Sequence, residues 1–282
     1  MRLLQKKSEC PTQGFLVVIL IVAMFFFTSS VSASEAGSGF TEVKRFKAAE
    51  ANQGIAVDEK YFYAIDNAKI GKYDKNTGVQ AAKWERSTEY PAIHFDGGVV
   101  VDGKLYIPHS NYPESPMTSS IEIFDTATLK PVATHSFGIM LGSLTWIDRH
   151  DGAWWAVFAN YSRVFGTNRE PYGNSYWTVF VKMDDNWQVQ QRWIFPEDMI
   201  QRSEPMSISG GSWGPDGLLY VSGHDHPEVY ALKIPKMGSV LERVKTLPVN
   251  IAGQGIAWDR STSNTLYGIV RKTKEVIVSQ LR

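Results

Sequence analysis

Cysteine is almost missing from the 282-residue chain, whose single copy is Cys10. One cysteine cannot form a disulfide within a chain, so the fold must be held by its hydrophobic core. Material for such a core is plentiful, since the chain has 9 Trp, 12 Tyr and 14 Phe residues. Aromatic side chains of this size bury large apolar areas.

An excess of charge of either sign is also missing. The chain has 29 Lys and Arg residues against 29 Asp and Glu residues, and no dense basic run. Because the phosphate backbone of a nucleic acid is bound by clustered positive charge, we expect no nucleic-acid partner.

Long hydrophobic runs are scarce, and the one that exists is near the start. "FLVVILIVAMFFF" begins at Phe15, follows a basic head and precedes the small residues Val31 and Ala33. A basic head, a short apolar core and a small-residue exit predict a secretory signal peptide over residues 1–33. The run is shorter than the roughly 20 residues of a spanning helix, so cleavage is favoured over an anchor at residues 15–31.

Cleavage after this leader would remove Cys10 and leave a mature chain without a thiol. We therefore expect an extracytoplasmic protein, secreted or periplasmic, with a linker at 34–40 and a single domain at 41–282. A membrane contact is expected only if the leader is retained.

Similar phrases recur along the chain at intervals of about 45 residues, with one longer interval before the fourth phrase. Each aspartate that closes a phrase is followed by three more β-rich segments, except the last, which is followed by two. Turn-forming words such as "KNTG", "VDGK" and "PDG" separate the segments. The closing aspartates are Asp58, Asp102, Asp148, Asp216 and Asp259.

Four antiparallel strands in each repeat predict an all-β fold, a β-propeller with five blades. The last repeat lacks its fourth strand, and the spare segment "TEVKRFKAA" at 41–49 is expected to complete it and close the ring. Closure removes the open sheet edges that invite aggregation. Six blades remain an alternative if the long interval hides a degraded blade, and a β-sandwich or open meander would also give many short strands.

Two stretches carry a resemblance to known proteins. "PDGLLYV" at 215–221, and "QGIAVDEKYFYAI" followed by "IGKYDKNTG", resemble wording in extracytoplasmic β-propellers of the lactonase-like, cycloisomerase-like and glutamine-cyclotransferase-like groups. The resemblance extends over about one blade at a time and includes no full set of catalytic motifs. It implies a propeller with a ligand site at one end of the axis and no particular substrate.

A propeller gathers two sets of loops at one end of its axis, which we call the mouth. These are the loops that lead into the innermost strands and the loops that join the second and third strands. The first set places Gln53, His94, Asp96, Ser143, Ser209 and Gln254 there. Four of the six histidines are expected at the mouth: His94, His109, His224 and His226. Titratable groups that converge in a concavity indicate a ligand site.

Acid–base catalysis is one use of these histidines, because histidine titrates near neutral pH. We predict His94 and His224 as acid and base, with Asp225 as an orienting carboxylate. A divalent transition metal is a second use, with His109, His224 and His226 as its ligands.

Ligand recognition is a third use of the mouth. An arginine offers a two-pronged fork to a carboxylate, and asparagine, glutamine and tyrosine suit hydroxylated ligands. The two longest loops both contain Asn-Tyr and are expected to overhang the mouth. The predicted ligand-binding residues are Gln53, Asn111, Tyr112, Asn160, Tyr161, Gln254 and Arg271.

One motif does not fit its usual chemistry. "GGSWG" at 210–214 matches the G-x-S-x-G pattern of serine hydrolases, which requires a strained turn from a strand into a helix. Here "PDGLLYV" follows and predicts a hairpin and another strand. The glycines are expected instead to allow close packing at the axis.

These observations favour an exported propeller that acts on or binds a small polar ligand at the mouth, of carbohydrate, lactone or organic-acid type. If it is an enzyme, hydrolase, lyase or isomerase chemistry fits. A non-catalytic scaffold for a glycan or a protein is the alternative, and a membrane-tethered sensor a third, since fold alone does not decide function.

Overall fold

Most of the described chain forms β-strands, which come from short segments rich in β-branched and aromatic residues. The computed structural model describes residues 39–139, 141–165 and 173–282. The predicted leader at 1–33 and most of the linker at 34–40 lie outside these ranges. Gly37–Arg282 forms one compact unit.

The strands form five antiparallel sheets, which stand in a ring as the blades of a five-bladed β-propeller. Blade one contains β2 (Gly54–Val57), β3 (Tyr61–Asp66), β4 (Lys69–Asp74) and β5 (Gln80–Glu85). Blade two contains β6 (His94–Phe95), β7 (Val99–Val101), β8 (Lys104–Ser110), β9 (Ser119–Asp125) and β10 (Pro131–Gly138). Blade three contains β11 (Ser143–His150), β12 (Ala153–Ala159), β13 (Val179–Met183) and β14 (Val189–Ile194).

Blade four contains β15 (Gly210–Trp213), β16 (Leu219–Ser222), β17 (Glu228–Lys233) and β18 (Glu242–Pro248). Blade five contains β19 (Ala257–Asp259), β20 (Thr265–Val270), β21 (Glu275–Leu281) and the early strand β1 (Phe40–Lys47). Within the described ranges the helices are the 3-10 turns η1 (Ser175–Trp177) and η2 (Arg271–Thr273) and the short α1 (Glu197–Ser203). The long interval in the repeat therefore holds one blade and α1, which confirms five blades rather than six.

The ring closes through β1, as the sequence predicts. This strand pairs antiparallel with β21, with Phe40 opposite Leu281 and Lys47 opposite Glu275. The last blade thus takes its outer strand from the start of the domain. β21, which would otherwise be the edge strand of blade five, is covered on both sides.

Backbones meet closely at the axis because glycines lie in or next to the innermost strands of blades one, two and five. A Cβ atom added to Gly54 would lie 2.4 Å from the Cα atom of Gly97, and one added to Gly255 would lie 2.6 Å from the Cα atom of Gly54. Any other residue there would push the strands apart.

The "GGSWG" segment belongs to the same packing. A Cβ atom added to Gly210 would lie 2.3 Å from the carbonyl oxygen of Gln254, and one added to Gly211 would lie 2.3 Å from the Trp146 ring. The segment forms β15 and runs through a hairpin into β16. The structure therefore confirms that the motif is not a strand-to-helix nucleophile turn.

Asp148 ties three blades together at the end of the axis opposite the mouth. Its carboxylate accepts hydrogen bonds from Ser212 Oγ at 3.1 Å and Trp213 N at 2.8 Å, and pairs with Arg260 Nη2 at 2.6 Å. These partners come from blades four and five, and Asp148 itself is almost completely buried.

Removal of this carboxylate should destabilise the ring. We expect Asp148→Ala to lower the free energy of unfolding by about 3 kcal/mol, because it leaves buried donors and an arginine without their acceptor. Urea denaturation would measure the change. Asp185→Ala is the matched control, since Asp185 pairs with Arg149 at the exposed surface, and the expected loss is below about 1 kcal/mol. Equal losses in the two variants would contradict this role for Asp148.

Candidate functional site

A polar residue stands at the mouth end of each innermost strand, and together these five residues make a ring around the axis, here called the polar ring. In four blades the polar residue directly precedes the glycine or strand that packs at the axis. In blade three the position is taken by Thr145, whose carbonyl oxygen accepts from Gly97 N at 3.3 Å. All five members are buried: Gln53, Asp96, Thr145, Ser209 and Gln254.

The neutral members of the polar ring are hydrogen-bonded within the protein. Their bonds are Gln53 Nε2 to Asn67 Oδ1 at 2.6 Å, Thr145 Oγ1 to Ile208 O at 2.9 Å, Ser209 Oγ to Ser207 O at 3.3 Å and Gln254 Nε2 to His224 O at 3.4 Å. Asp96 differs from them. It is 4% exposed, and its Oδ2 atom has no hydrogen-bond partner among the residues that the structure describes.

Strand alternation places His94 beside Asp96. Phe95 lies between them and packs into the interface with blade one, where its ring centroid is 5.6 Å from that of Trp84. Residues on either side of Phe95 therefore turn away from the interface with blade one. His94 Nε2 lies 3.6 Å from Asp96 Oδ2.

Burial favours the uncharged form of both groups of this pair. It lowers the pKa of His94 to about 4, and charges on His109, Arg271 and His224 act in the same direction. It raises the pKa of Asp96 well above the ordinary range, against a smaller opposing effect of Arg271. At neutral pH the imidazole of His94 is thus a free base, and the raised pKa of Asp96 favours the protonated form of its carboxyl group.

A second linked group lies across the mouth, on blades four and five. Arg271, the first residue of η2, has its Nη1 atom 3.0 Å from Nε2 of His224. A guanidinium group only donates, so this imidazole nitrogen is the acceptor. The other ring nitrogen, Nδ1, then donates to Asp225 Oδ2 at 2.7 Å. His224 is therefore neutral, and burial is the main cause that lowers its pKa.

Aromatic residues form a wall beside His94. The ring centroid of Tyr112 lies 4.8 Å from that of His94, 5.5 Å from Tyr161 and 4.9 Å from Phe165. Tyr161 and Phe165 belong to a buried cluster with Met117. The Asn-Tyr loops thus contribute packing at the edge of the mouth, and the ring of Tyr161 is covered by protein rather than presented for stacking.

The two asparagines of these loops shape the loops themselves. Asn111 Nδ2 donates to Pro116 O at 2.9 Å, and its Oδ1 atom accepts from Thr118 N at 2.7 Å. Asn160 Nδ2 donates to Trp177 O at 3.3 Å. The side-chain amide groups on which their predicted ligand-binding role depends are therefore engaged in backbone contacts.

The imidazole of His109 is turned toward blade one. It is on the same face of β8 as Leu105 and Ile107, which pack against blade one. Its Nε2 atom accepts from Ile93 N at 3.1 Å, and its Nδ1 atom lies 3.0 Å from Ser120 Oγ. Both ring nitrogens thus have partners within the protein.

His226 points toward α1, where its Nε2 atom lies 3.2 Å from the carbonyl oxygen of Arg202. The predicted metal ligands His109, His224 and His226 are therefore not gathered at one point. In the described parts of the chain, no group of three or more histidine, cysteine, aspartate or glutamate residues is arranged to hold a metal ion. The metal site stays a prediction that this arrangement does not support.

The end of the axis opposite the mouth carries an open cavity of about 1150 Å³, lined by residues of blades three, four and five. Its walls include Trp213, which stacks on His150 with ring centroids 4.4 Å apart. Cationic side chains of Lys182, Lys236 and Arg260 line it as well. Sequence reasoning did not single out this cavity, because its walls come from hairpins of three different blades.

Within the described residues, no helix has the length and apolar character needed to span a membrane.

Comparison with known proteins supports the fold and leaves the activity open. No protein-family model matches the sequence, and no curated protein matches it. The structure resembles Myxococcus xanthus glutaminyl cyclase, with a TM-score of 0.57 and 8% identity over 86% of this chain and 97% of that chain. It also resembles the PQQ-bound aldose sugar dehydrogenase of Streptomyces coelicolor, with a TM-score of 0.55 and 10% identity over 88% of this chain and 99% of that chain. Both are β-propellers, which confirms the generic resemblance expected from the sequence.

Proposed function

We propose that the mouth is an acid–base catalytic site for a small polar ligand. The observation that carries this proposal is Asp96, a buried carboxyl group whose Oδ2 atom lacks a partner among the described residues and faces His94. An unsatisfied buried polar group costs about 1–3 kcal/mol of stability. Groups kept at such a cost, with strongly shifted pKa values, are concentrated at functional sites.

The two groups suit opposite proton transfers. The neutral imidazole of His94 can accept a proton from a ligand hydroxyl, water or acidic C–H group. The carboxyl group of Asp96, whose raised pKa favours the protonated form, can donate one to an oxygen that develops negative charge. Pairs of titratable groups whose environments move their pKa values apart are typical of acid and base assignments. Isomerisation, elimination and ring opening of a lactone all require this pair of transfers.

The ligand class that we propose is a carbohydrate, a lactone or an organic acid, because these compounds undergo reactions that need one proton removed and another supplied. The predicted signal peptide supports action outside the cytoplasm, in a secreted or periplasmic protein.

A turnover screen with Asp96→Asn tests this proposal. The panel contains aldonolactones, hydroxy acids and neutral sugars, and product formation is followed by NMR spectroscopy. We expect the wild-type protein to convert at least one compound and Asp96→Asn to lower kcat/KM by about 100-fold or more. Because Asn matches the protonated carboxyl group in shape and carries no titratable proton, the melting temperature of this variant should not fall.

Asp151→Asn is the matched control for this screen. Asp151 is exposed in the hairpin between β11 and β12, at the opposite end of the axis, and its loss should leave turnover unchanged. Full activity of Asp96→Asn would overturn the proposal, and so would a fall in activity that merely follows a loss of folded protein.

A non-catalytic scaffold for a glycan or a protein partner is the second candidate. The cavity opposite the mouth, with Trp213 and several cations in its walls, is the observation that favours it. In that case compounds of the panel would raise the melting temperature without being converted. The same rise would persist in Asp96→Asn.

A further inference from the structure

We propose that Arg271 is an anion-binding group of the mouth and that the ligand therefore carries a carboxylate. This inference rests on the proposed function in one respect only, namely that the reacting part of the ligand lies beside His94 and Asp96. It narrows the ligand class to organic acids and the acid forms of sugars, and it sets neutral sugars aside.

The first support is the unusual partner of Arg271. Five of the described arginines pair with carboxylates, among them Arg45 with Glu275 at 2.7 Å and Arg149 with Asp185 at 2.5 Å. No carboxylate lies within 4.0 Å of Arg271 among the described residues. Its hydrogen-bond partner is the neutral imidazole of His224, which cannot balance the positive charge of the guanidinium group.

The second support is the way this contact fixes the guanidinium group. Asp225 accepts from His224 Nδ1, which leaves Nε2 of His224 as the acceptor for Nη1 of Arg271. One of the five N–H donors is thereby anchored and the guanidinium plane is held, while further donors stay available. A held guanidinium group loses little side-chain entropy when it binds a carboxylate through two parallel hydrogen bonds.

The third support is the electrostatic field at the mouth. The charge of Arg271 lowers the pKa values of His94, Asp96 and His224, so it acts on both members of the acid–base pair. Arg163 also lowers the pKa of His224. Arg271 and Arg163 therefore both contribute positive charge at this site. An anionic ligand is attracted into such a site and a cationic one is repelled.

Isothermal titration calorimetry with carboxylates tests this assignment. The probes are lactate, malate and gluconate, and glucitol serves as a neutral counterpart of gluconate. We expect at least one carboxylate to bind the wild-type protein at low ionic strength, with weaker binding as salt is added. Glucitol should not bind. We expect Arg271→Gln to weaken the binding of that carboxylate by about tenfold or more.

Lys272→Gln is the matched control, because Lys272 is the next residue of η2, is exposed and carries the same charge. The affinity of the Lys272→Gln variant for the same carboxylate should stay within about twofold of the wild-type value. Equal losses of affinity in the two variants would mean that binding depends on net charge and not on the position of Arg271. Absence of carboxylate binding by the wild-type protein, or unchanged binding by Arg271→Gln, would overturn the assignment.

Asp96→Asn separates this inference from the proposed function. A carboxylate should still bind this variant, because its anchor is Arg271, although turnover is lost. Carboxylate binding that depends on Arg271 without turnover of any compound would keep the anion site and reject the catalytic proposal. Turnover of a neutral compound by Arg271→Gln at the wild-type rate would keep the catalytic proposal and reject the anion site.

Discussion

His94→Gln is expected to lower kcat/KM for the substrate of the mouth by about 10²- to 10⁴-fold, the usual contribution of a general base. Glutamine can replace the imidazole as a hydrogen-bonding group but cannot take up a proton. The loss should appear mainly in kcat, since the binding group Arg271 is unchanged. Steady-state kinetics of the purified variant measure both parameters.

His135→Gln is the control for this substitution. His135 lies on β10, the outer strand of blade two, where it stacks on Trp187. His135→Gln replaces the same type of residue far from the mouth, and we expect it to leave kcat/KM unchanged. Activity of His94→Gln within a few-fold of the wild-type protein would remove His94 from the mechanism.

The charge state of His94 can be measured without any substrate. NMR titration of the imidazole should show His94 neutral down to about pH 4, whereas an ordinary histidine titrates near 6.5. As the pH falls below 6.5, the unfolded chain takes up this proton before the folded protein does. Folding stability should therefore decrease between about pH 6.5 and 4, and this part of the decrease should vanish in His94→Gln.

The fold was predictable because the repeat encodes it. "NQGIAVD" and "GQGIAWD" place Gln53–Gly54 and Gln254–Gly255 at equivalent points of blades one and five, and the structure brings their backbones into contact. The missing strand of the last repeat predicted the role of β1. A period of four strands favours a propeller over a sandwich or an open meander, and the five sheets of the structure decide between five and six blades.

The site was predictable only to the level of which end of a strand a residue occupies. That level placed His94, His224, Gln254 and Arg271 at the mouth. It failed for His109, because β8 continues through Ser110 and strand parity turns the imidazole toward blade one. The sequence shows that His109 is spaced by two and four residues from Ile107 and Leu105. This spacing predicts a shared face only if the strand is known to continue to His109.

Asp96 shows the other limit. Polar residues that directly precede axial glycines form a visible pattern, and Asp96 is one of them. Which member of the polar ring lacks a partner depends on where neighbouring loops place their amide and carbonyl groups. Asn67 reaches Gln53, whereas no described donor reaches Oδ2 of Asp96. Such contacts between loops of different blades are not encoded in a local sequence pattern.

A chain that begins at Ala48, and so lacks β1, is expected to lose cooperative folding. β1 is the outer strand of blade five, and its removal leaves β21 as an open, apolar edge. It also removes two aromatic contacts with neighbouring blades. Phe46 stacks on Phe62 of blade one at 5.3 Å, and Phe40 lies 6.3 Å from Tyr220 of blade four.

These losses are large against the stability of a typical domain, about 5–15 kcal/mol. The ladder between β1 and β21, the ion pair of Arg45 with Glu275 and the packing of Phe40 and Phe46 all disappear together. We expect the shortened chain to aggregate and to show no sigmoidal transition in thermal circular dichroism. The matched control begins at Gly37, the first residue of the compact unit, and should unfold in one transition.

A milder variant keeps this prediction testable if the shortened chain cannot be purified. Phe46→Ala retains the strand pairing but removes the stack on Phe62, and we expect it to lower the free energy of unfolding by about 2 kcal/mol. Lys44→Ala changes an exposed residue of the same strand and should have an effect below about 0.5 kcal/mol. A stable, monomeric chain beginning at Ala48 would show that the ring does not need this strand. The mouth would then be held by blades one to four and the three remaining strands of blade five, and closure would not explain how His94 and Arg271 come to face one site.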